Sequence, residues 1–146
     1  MSTLGDIPIK IESEAAFTEE TLTGMADAVL REIQEHLVNL RDTGAAHIID
    51  MRSLPLTQAD RTALKHALGE GEVRISIDAS GPTEIYETAY GGVWWVDYQD
   101  LLGSSAIQQI EIATIPALVP THPDDVAGAA ARLARDLRER DQETAT

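Results

Sequence analysis

Residues 73–98 read VRISIDASGPTEIYETAYGGVWWVDY, and this run indicates that the protein is built on a β-sheet. Apolar and polar residues alternate over 73–78, which is typical of a strand with one buried face. Turn residues, Gly81 with Pro82 and then Gly91 with Gly92, separate this strand from two more, at 83–89 and 93–98. Short loops between successive strands favour an antiparallel meander.

Outside this run the sequence predicts three helices, at 22–40, 57–68 and 121–140, and two further strands, at 47–51 and 106–115. Thr57 and Asp60 occupy the capping positions of the second helix. We therefore expect an α+β fold: a mostly antiparallel sheet of about four to five strands with helices packed on one face. Residues 1–20 are expected to form an extended or mobile arm, 21–140 a single domain and 141–146 a frayed tail.

The composition limits the classes of function. The chain has 146 residues, a formal net charge of −14 and no cysteine. Without cysteine it offers no thiolate for zinc or an iron–sulfur cluster. Residues 69–111 contain eight acidic residues and one basic residue, Arg74. Such acidity disfavours nucleic acid as a partner and suits a basic polypeptide, although it also simply keeps a protein soluble.

No apolar run in the sequence reaches the length of a membrane span, and residues 1–10 lack the pattern of a signal peptide. We therefore expect a soluble, cytoplasmic protein without a membrane partner.

Candidate catalytic groups are sparse. The four histidines stand at spacings that do not suggest a metal site: His36, His47, His66 and His122. No serine lies in a nucleophile motif. The sequence thus predicts no metal, no cofactor and no enzymatic activity. The alternative is a small-ligand-binding protein or enzyme that uses a cluster of Asp50, Arg52, Glu84 and Glu87.

The adjacent residues Trp94 and Trp95 lie on a predicted strand, so their side chains must point to opposite faces. We expect one in the core and the other on the open face, as an anchor for a protein partner or covered by a loop or by a second subunit in a homodimer. The candidate partner-binding residues are Glu84, Tyr86, Glu87, Trp94, Trp95 and Asp97. A structural role is expected for Asp50 and Arg52, which should pair and, with Pro55, fix a turn.

Several motifs occur in an order that resembles one protein family. Residues 49–57, IDMRSLPLT, are similar to the IDLRSLPLT segment of HupH/HyaF-type hydrogenase expression/formation proteins. Four more segments follow in the same order: LGEGEV at 68–73, GPTEI at 81–85, GVWWV at 92–96 and IEIA at 110–113. The chain therefore resembles one copy of the C-terminal conserved domain of that family over roughly residues 25–120.

The resemblance implies an accessory, chaperone-like role in the maturation of [NiFe]-hydrogenase. It implies as partner the precursor of the iron–sulfur small subunit, which carries a twin-arginine leader, and it also allows other maturation chaperones as partners.

Overall fold

In the computed structural model, which describes residues 20–146, the chain forms an α+β fold with five strands and three helices among those residues. The order is α1 (Met25–Thr43), β1 (His47–Asp50), a 3-10 turn (Met51–Ser53), α2 (Gln58–Leu68), β2 (Arg74–Asp78), β3 (Pro82–Glu87), β4 (Val93–Gln99), β5 (Ser105–Ile112) and α3 (Pro123–Ala145). The arm predicted for residues 1–20 lies, except for Glu20, outside the described residues.

The five strands form one antiparallel sheet in the order β1-β5-β4-β3-β2. Strands β2 to β5 are the expected meander, and β1 completes the sheet by pairing with β5, where Ile49 stands opposite Ile110. The fold class that the sequence predicts is confirmed.

One face of the sheet carries the main core, which α1 and α2 cover. Side chains of α1, α2 and the sheet form a single buried cluster that includes Val29, Ile33, Leu64, Leu68, Ile49, Val93, Trp95, Ile110 and Ile112. Strand residues alternate between faces, so Trp95 lies on this helix-side face and Trp94 on the opposite one. Burial of such aromatic and aliphatic side chains is the main contribution to folding.

For the outward tryptophan the sequence left two alternatives, an exposed anchor and a covered ring, and the exposed position is wrong. Trp94 is 6% exposed and Trp95 is 1% exposed. The Trp94 indole donates from Nε1 to the carbonyl of Ala113 at 2.9 Å, which ties the ring to the backbone beyond β5. Ile85 and Val96 on the same face are also buried, so the centre of this face is not the open surface that the sequence suggested.

The chain divides after Thr114 into two compact units. The second unit contains α3, whose first turn is capped by His122: Nδ1 of His122 accepts from the amide of Asp124 at 3.2 Å. The helix continues to Ala145, beyond the predicted end near Arg140, because Gln142, Glu143 and Ala145 are good helix formers.

A buried carboxylate joins the beginnings of α1 and α2. Asp60 forms the predicted capping box with Thr57 and is fully buried. It also accepts from the Thr23 amide at 2.9 Å and from the Thr23 hydroxyl at 2.6 Å. Thr23 precedes α1, which begins after the left-handed Gly24, and the Thr23 hydroxyl donates to Asp60. Asp60 therefore clamps the two helices to each other.

We predict that Asp60→Ala lowers the free energy of unfolding by about 2 kcal/mol or more, because several hydrogen bonds to a charged acceptor are lost. Chemical denaturation measures the change, with Asp78→Ala, a substitution at an exposed aspartate, as the matched control. Equal stability of the two variants would contradict the role of Asp60.

The same residue makes stability depend on pH. Burial alone would raise the pKa of Asp60, but the hydrogen bonds from Thr23 and Thr57 outweigh it and lower the pKa from 3.8 to about 2. The stabilisation from the ionised carboxyl is therefore complete above pH 3.8 and is lost as the pH falls to about 2. Unfolding curves should show a loss over this window that is smaller in Asp60→Asn, which has no proton to gain. An identical pH profile for wild type and variant would exclude this linkage.

Candidate functional site

The structure divides the predicted partner-binding residues between the two faces of the sheet. Cross-strand register places Glu84 opposite Asp97 and Tyr86 opposite Trp95 on the helix-side face. On the other face, Glu87 stands opposite Trp94. The six residues therefore do not form one surface. Glu84, Tyr86 and Asp97 share the helix-side face. Both tryptophans are buried, Trp95 on that face and Trp94 on the opposite one.

Glu84 and Asp97 form a pair of carboxylates on neighbouring strands, which we call the carboxylate pair. Ser76 donates to Oε2 of Glu84 at 2.6 Å, and Ser105 donates to Oδ1 of Asp97. Like charges directly opposite each other in a sheet are destabilising. The serine hydroxyls offset part of this repulsion, and the pair is left accessible to a cation from outside the chain.

Aromatic rings border the carboxylate pair. Tyr86 lies parallel to Trp95 with ring centroids 6.4 Å apart, and the Arg74 guanidinium lies 5.4 Å from the Tyr86 ring. Burial, followed by the negative charge of Glu70, raises the pKa of Tyr86. Its hydroxyl therefore stays protonated at neutral pH and can donate a hydrogen bond.

A pocket of about 380 Å³ opens beside this patch, and three basic residues line it. We call it the basic pocket. The helix α2 contributes one polar face, the 3-10 turn contributes Arg52, and the beginning of β5 supplies the far wall. Its lining residues are Arg52, Gln58, Arg61, Thr62, Lys65, Ser105, Ala106 and Gln108. In a chain with a net charge of −14, such a concentration of cations is unusual.

The cations of the pocket differ in their partners. Arg52 pairs with Asp50 at 2.9 Å, which is the predicted ion pair, and this hydrogen bond lowers the pKa of Asp50. Neither Arg61 nor Lys65 forms an ion pair with any residue in the described range 20–146. The Lys65 ammonium lies 4.9 Å from the centroid of the Trp95 ring, an attractive cation–π contact. Two positive charges thus remain available to an anionic ligand.

The basic pocket and the carboxylate pair are continuous. Gln108 lines the pocket and stands directly opposite Asp97 in the β4/β5 register. Ser105 lines the pocket and donates to Asp97. Together they form a dipolar surface, defined by Glu84 and Asp97 on one side and Arg52, Arg61 and Lys65 on the other. A polypeptide that presents a cation next to a carboxylate would be complementary to it.

The alternative cluster of Asp50, Arg52, Glu84 and Glu87 is not assembled. Two strands, β5 and β4, separate β1 from β3 in the sheet. Glu84 and Glu87 lie on opposite faces, and Glu87 accepts from the amide of Gly92 at 3.2 Å. The sequence analysis missed Arg61, Lys65 and Gln108. The spacing of Gln58, Arg61 and Lys65 along one helix face, with two cations in an acidic chain, is the signal that could have indicated them.

Although the spacing of the four histidines does not suggest a metal site, the fold brings two of them together. His36 and His47 stack with ring centroids 3.5 Å apart. With Glu32 they form a group whose possible ligand atoms all lie within 4.8 Å of one another. The i,i+4 spacing of Glu32 and His36 could have indicated two of the three members of this group, but the approach of His47 depends on the tertiary fold.

Within residues 20–146, none of the helices combines the length and the apolar character needed to cross a membrane.

Comparison with known proteins gives a consistent result. The model of the HupH hydrogenase expression protein, C-terminal conserved region, matches residues 24–139. A hydrogenase expression/formation protein HupQ from Azotobacter chroococcum is 41% identical over 95 residues, which are 65% of this chain and 33% of that protein. The hydrogenase-1 operon protein HyaF of Escherichia coli is 32% identical over 100 residues, 68% of this chain and 35% of HyaF.

A solved structure supports the fold as well. The hydrogenase expression protein HupH from Thiobacillus denitrificans is 44% identical and superposes with a TM-score of 0.73, covering 82% of this chain and 98% of that one. By contrast, the chain spans only about a third of the length of the curated relatives it matches, 33% of HupQ and 35% of HyaF.

We predict that Asp97→Asn raises the free energy of unfolding by a few tenths to about 1 kcal/mol, because it removes the repulsion by Glu84 while keeping an acceptor for Ser105. Chemical denaturation measures the change. Asp78→Asn is the control, since Asp78 stands opposite Pro82 rather than a carboxylate. A lower stability of Asp97→Asn would show that the carboxylate pair carries no electrostatic strain.

Proposed function

Since this chain belongs to the HupH hydrogenase expression protein family, through the C-terminal conserved region of that family, we propose that it serves in [NiFe]-hydrogenase maturation by binding the precursor of the iron–sulfur small subunit. The names of its relatives, hydrogenase expression/formation protein and hydrogenase operon protein, support an accessory role. In this proposal the chain acts in the cytoplasm, before the precursor is exported, and binds without catalysing a reaction.

The observation that carries this proposal is the dipolar surface. Glu84 and Asp97 accept hydrogen bonds from serine hydroxyls on the helix-side face, where Glu84 is exposed and Asp97 is half-buried, so they can receive arginine side chains of the precursor leader. A carboxylate of the precursor would enter the basic pocket, where Arg61 and Lys65 have no ion pair within the described part of the chain. Opposite charges at fixed positions select the direction in which a bound segment lies.

This proposal differs from one based on an aromatic anchor. Trp95 is buried under Lys65 and beside Tyr86, so it supports the floor of the surface rather than inserting into a partner. The edge of Tyr86, which is half-buried, is the aromatic group that a bound chain could contact directly. Binding energy would then come mainly from charge-assisted hydrogen bonds over a rigid sheet.

We predict that the double charge reversal Glu84→Lys with Asp97→Lys weakens precursor binding at least tenfold and slows association, because attraction to the leader becomes repulsion. Surface plasmon resonance with immobilised precursor, measured at several ionic strengths, separates the two rates. Glu35→Lys with Glu72→Lys is the matched control, since it changes the net charge equally at exposed sites outside the dipolar surface. Thermal unfolding verifies that each variant is folded.

The basic pocket is tested separately. Arg61→Ala with Lys65→Ala should accelerate dissociation of the precursor. A precursor without its leader should lose the effect of Glu84 and Asp97 but keep that of the pocket. Wild-type kinetics in both double variants would refute this placement of the binding site, whereas absence of any binding by the wild-type chain would refute the proposed partner.

A further inference from the structure

Three potential metal ligands lie close together near the point where the chain reverses between α1 and β1. Glu32 and His36 are one helical turn apart on α1, and His47 is the first residue of β1. The helix ends at Gly44, whose left-handed conformation with φ of 75° allows the chain to reverse. Only two residues then separate Gly44 from His47, so the reversal brings the second imidazole back alongside the first.

The distances between the ligand atoms of this group are slightly longer than those around a bound metal ion. Oε1 of Glu32 lies 3.8 Å from Nε2 of His36 and 3.8 Å from Nε2 of His47. Both separations exceed hydrogen-bond length, so no direct hydrogen bond between Glu32 and either ring occupies these atoms. The side chains are 42%, 26% and 40% exposed for Glu32, His36 and His47, which leaves a path for an ion to enter.

We propose that Glu32, His36 and His47 bind one divalent transition-metal ion. Two imidazoles and one carboxylate form a ligand set that suits zinc, nickel or iron(II) and disfavours magnesium and calcium, which prefer all-oxygen sites. Three protein ligands leave at least one coordination position for water or for a donor from another molecule. The site is independent of the proposed function, because none of its ligands belongs to the dipolar surface.

Binding requires a small and local rearrangement. Ligand atoms about 2.0–2.1 Å from a tetrahedral ion lie roughly 3.3 Å apart, so each 3.8 Å separation must shorten by about half an ångström. The two rings are nearly parallel, with an interplanar angle of 9°, and lone pairs in parallel planes do not meet at one point. One imidazole therefore turns out of the stack as the ion binds. Side chains of this exposure have the freedom to do so.

Calorimetric titration of the tag-free, chelator-treated full chain with Zn²⁺ tests the proposal. We expect one zinc per chain with micromolar or tighter affinity and no competition from Mg²⁺. His36→Ala, His47→Ala and Glu32→Gln should each weaken binding at least about tenfold, the lower end of what even outer-shell changes cost. The matched controls are His66→Ala and His122→Ala, exposed histidines outside the group, which should bind as the wild type does.

Nuclear magnetic resonance on the wild-type chain gives a second readout that needs no variant to fold. Zinc should shift the ring signals of His36 and His47 and leave those of His66 and His122 unchanged. Absence of stoichiometric binding by the wild type, undiminished affinity in the folded His36→Ala and His47→Ala variants, or shifts confined to His66 and His122 would each overturn the proposal.

Discussion

The buried carboxylate of Asp60 is the interaction on which the arrangement of both helices depends. A charged group without solvent is costly unless hydrogen bonds replace its water, and Thr23 and Thr57 supply them from two separate helix beginnings. The first turns of α1 and α2 are thereby held at one point. From there α2 continues across the sheet and places Lys65 over Trp95, while α1 continues to His36 beside β1.

The strand β1 connects the two proposed sites. It begins at His47, in the histidine group, and ends at Asp50, whose partner Arg52 lines the basic pocket. Three residue steps of a strand cover roughly 10 Å. A rigid four-residue strand, paired along its length with β5, fixes that separation.

The sequence predicted the elements well because their signals are local. Alternation identified β2, and the Thr57–Asp60 spacing identified the start of α2.

The contacts that define the sites are not local, and there the predictions failed or were incomplete. The second role of Asp60 needs Thr23, which is 37 residues away. The Trp94 indole is hydrogen-bonded to the Ala113 carbonyl, 19 residues away. The adjacency of Trp94 and Trp95 on a strand predicts opposite faces but cannot predict this contact. The predicted partner-binding residues are divided between the two faces for the same reason: strand register, rather than charge, decides that Glu84 joins Asp97 while Glu87 does not.

In the proposed function, the dipolar surface receives the small-subunit precursor. Amide hydrogen exchange of the chain, with and without saturating precursor, tests this claim most directly because it locates the contact without any substitution. We expect the protection on binding to be concentrated in residues 58–65 of α2, in β3 and β4, and at the beginning of β5. Protection that leaves these segments unchanged and appears on α1 or on residues 115–146 would contradict it.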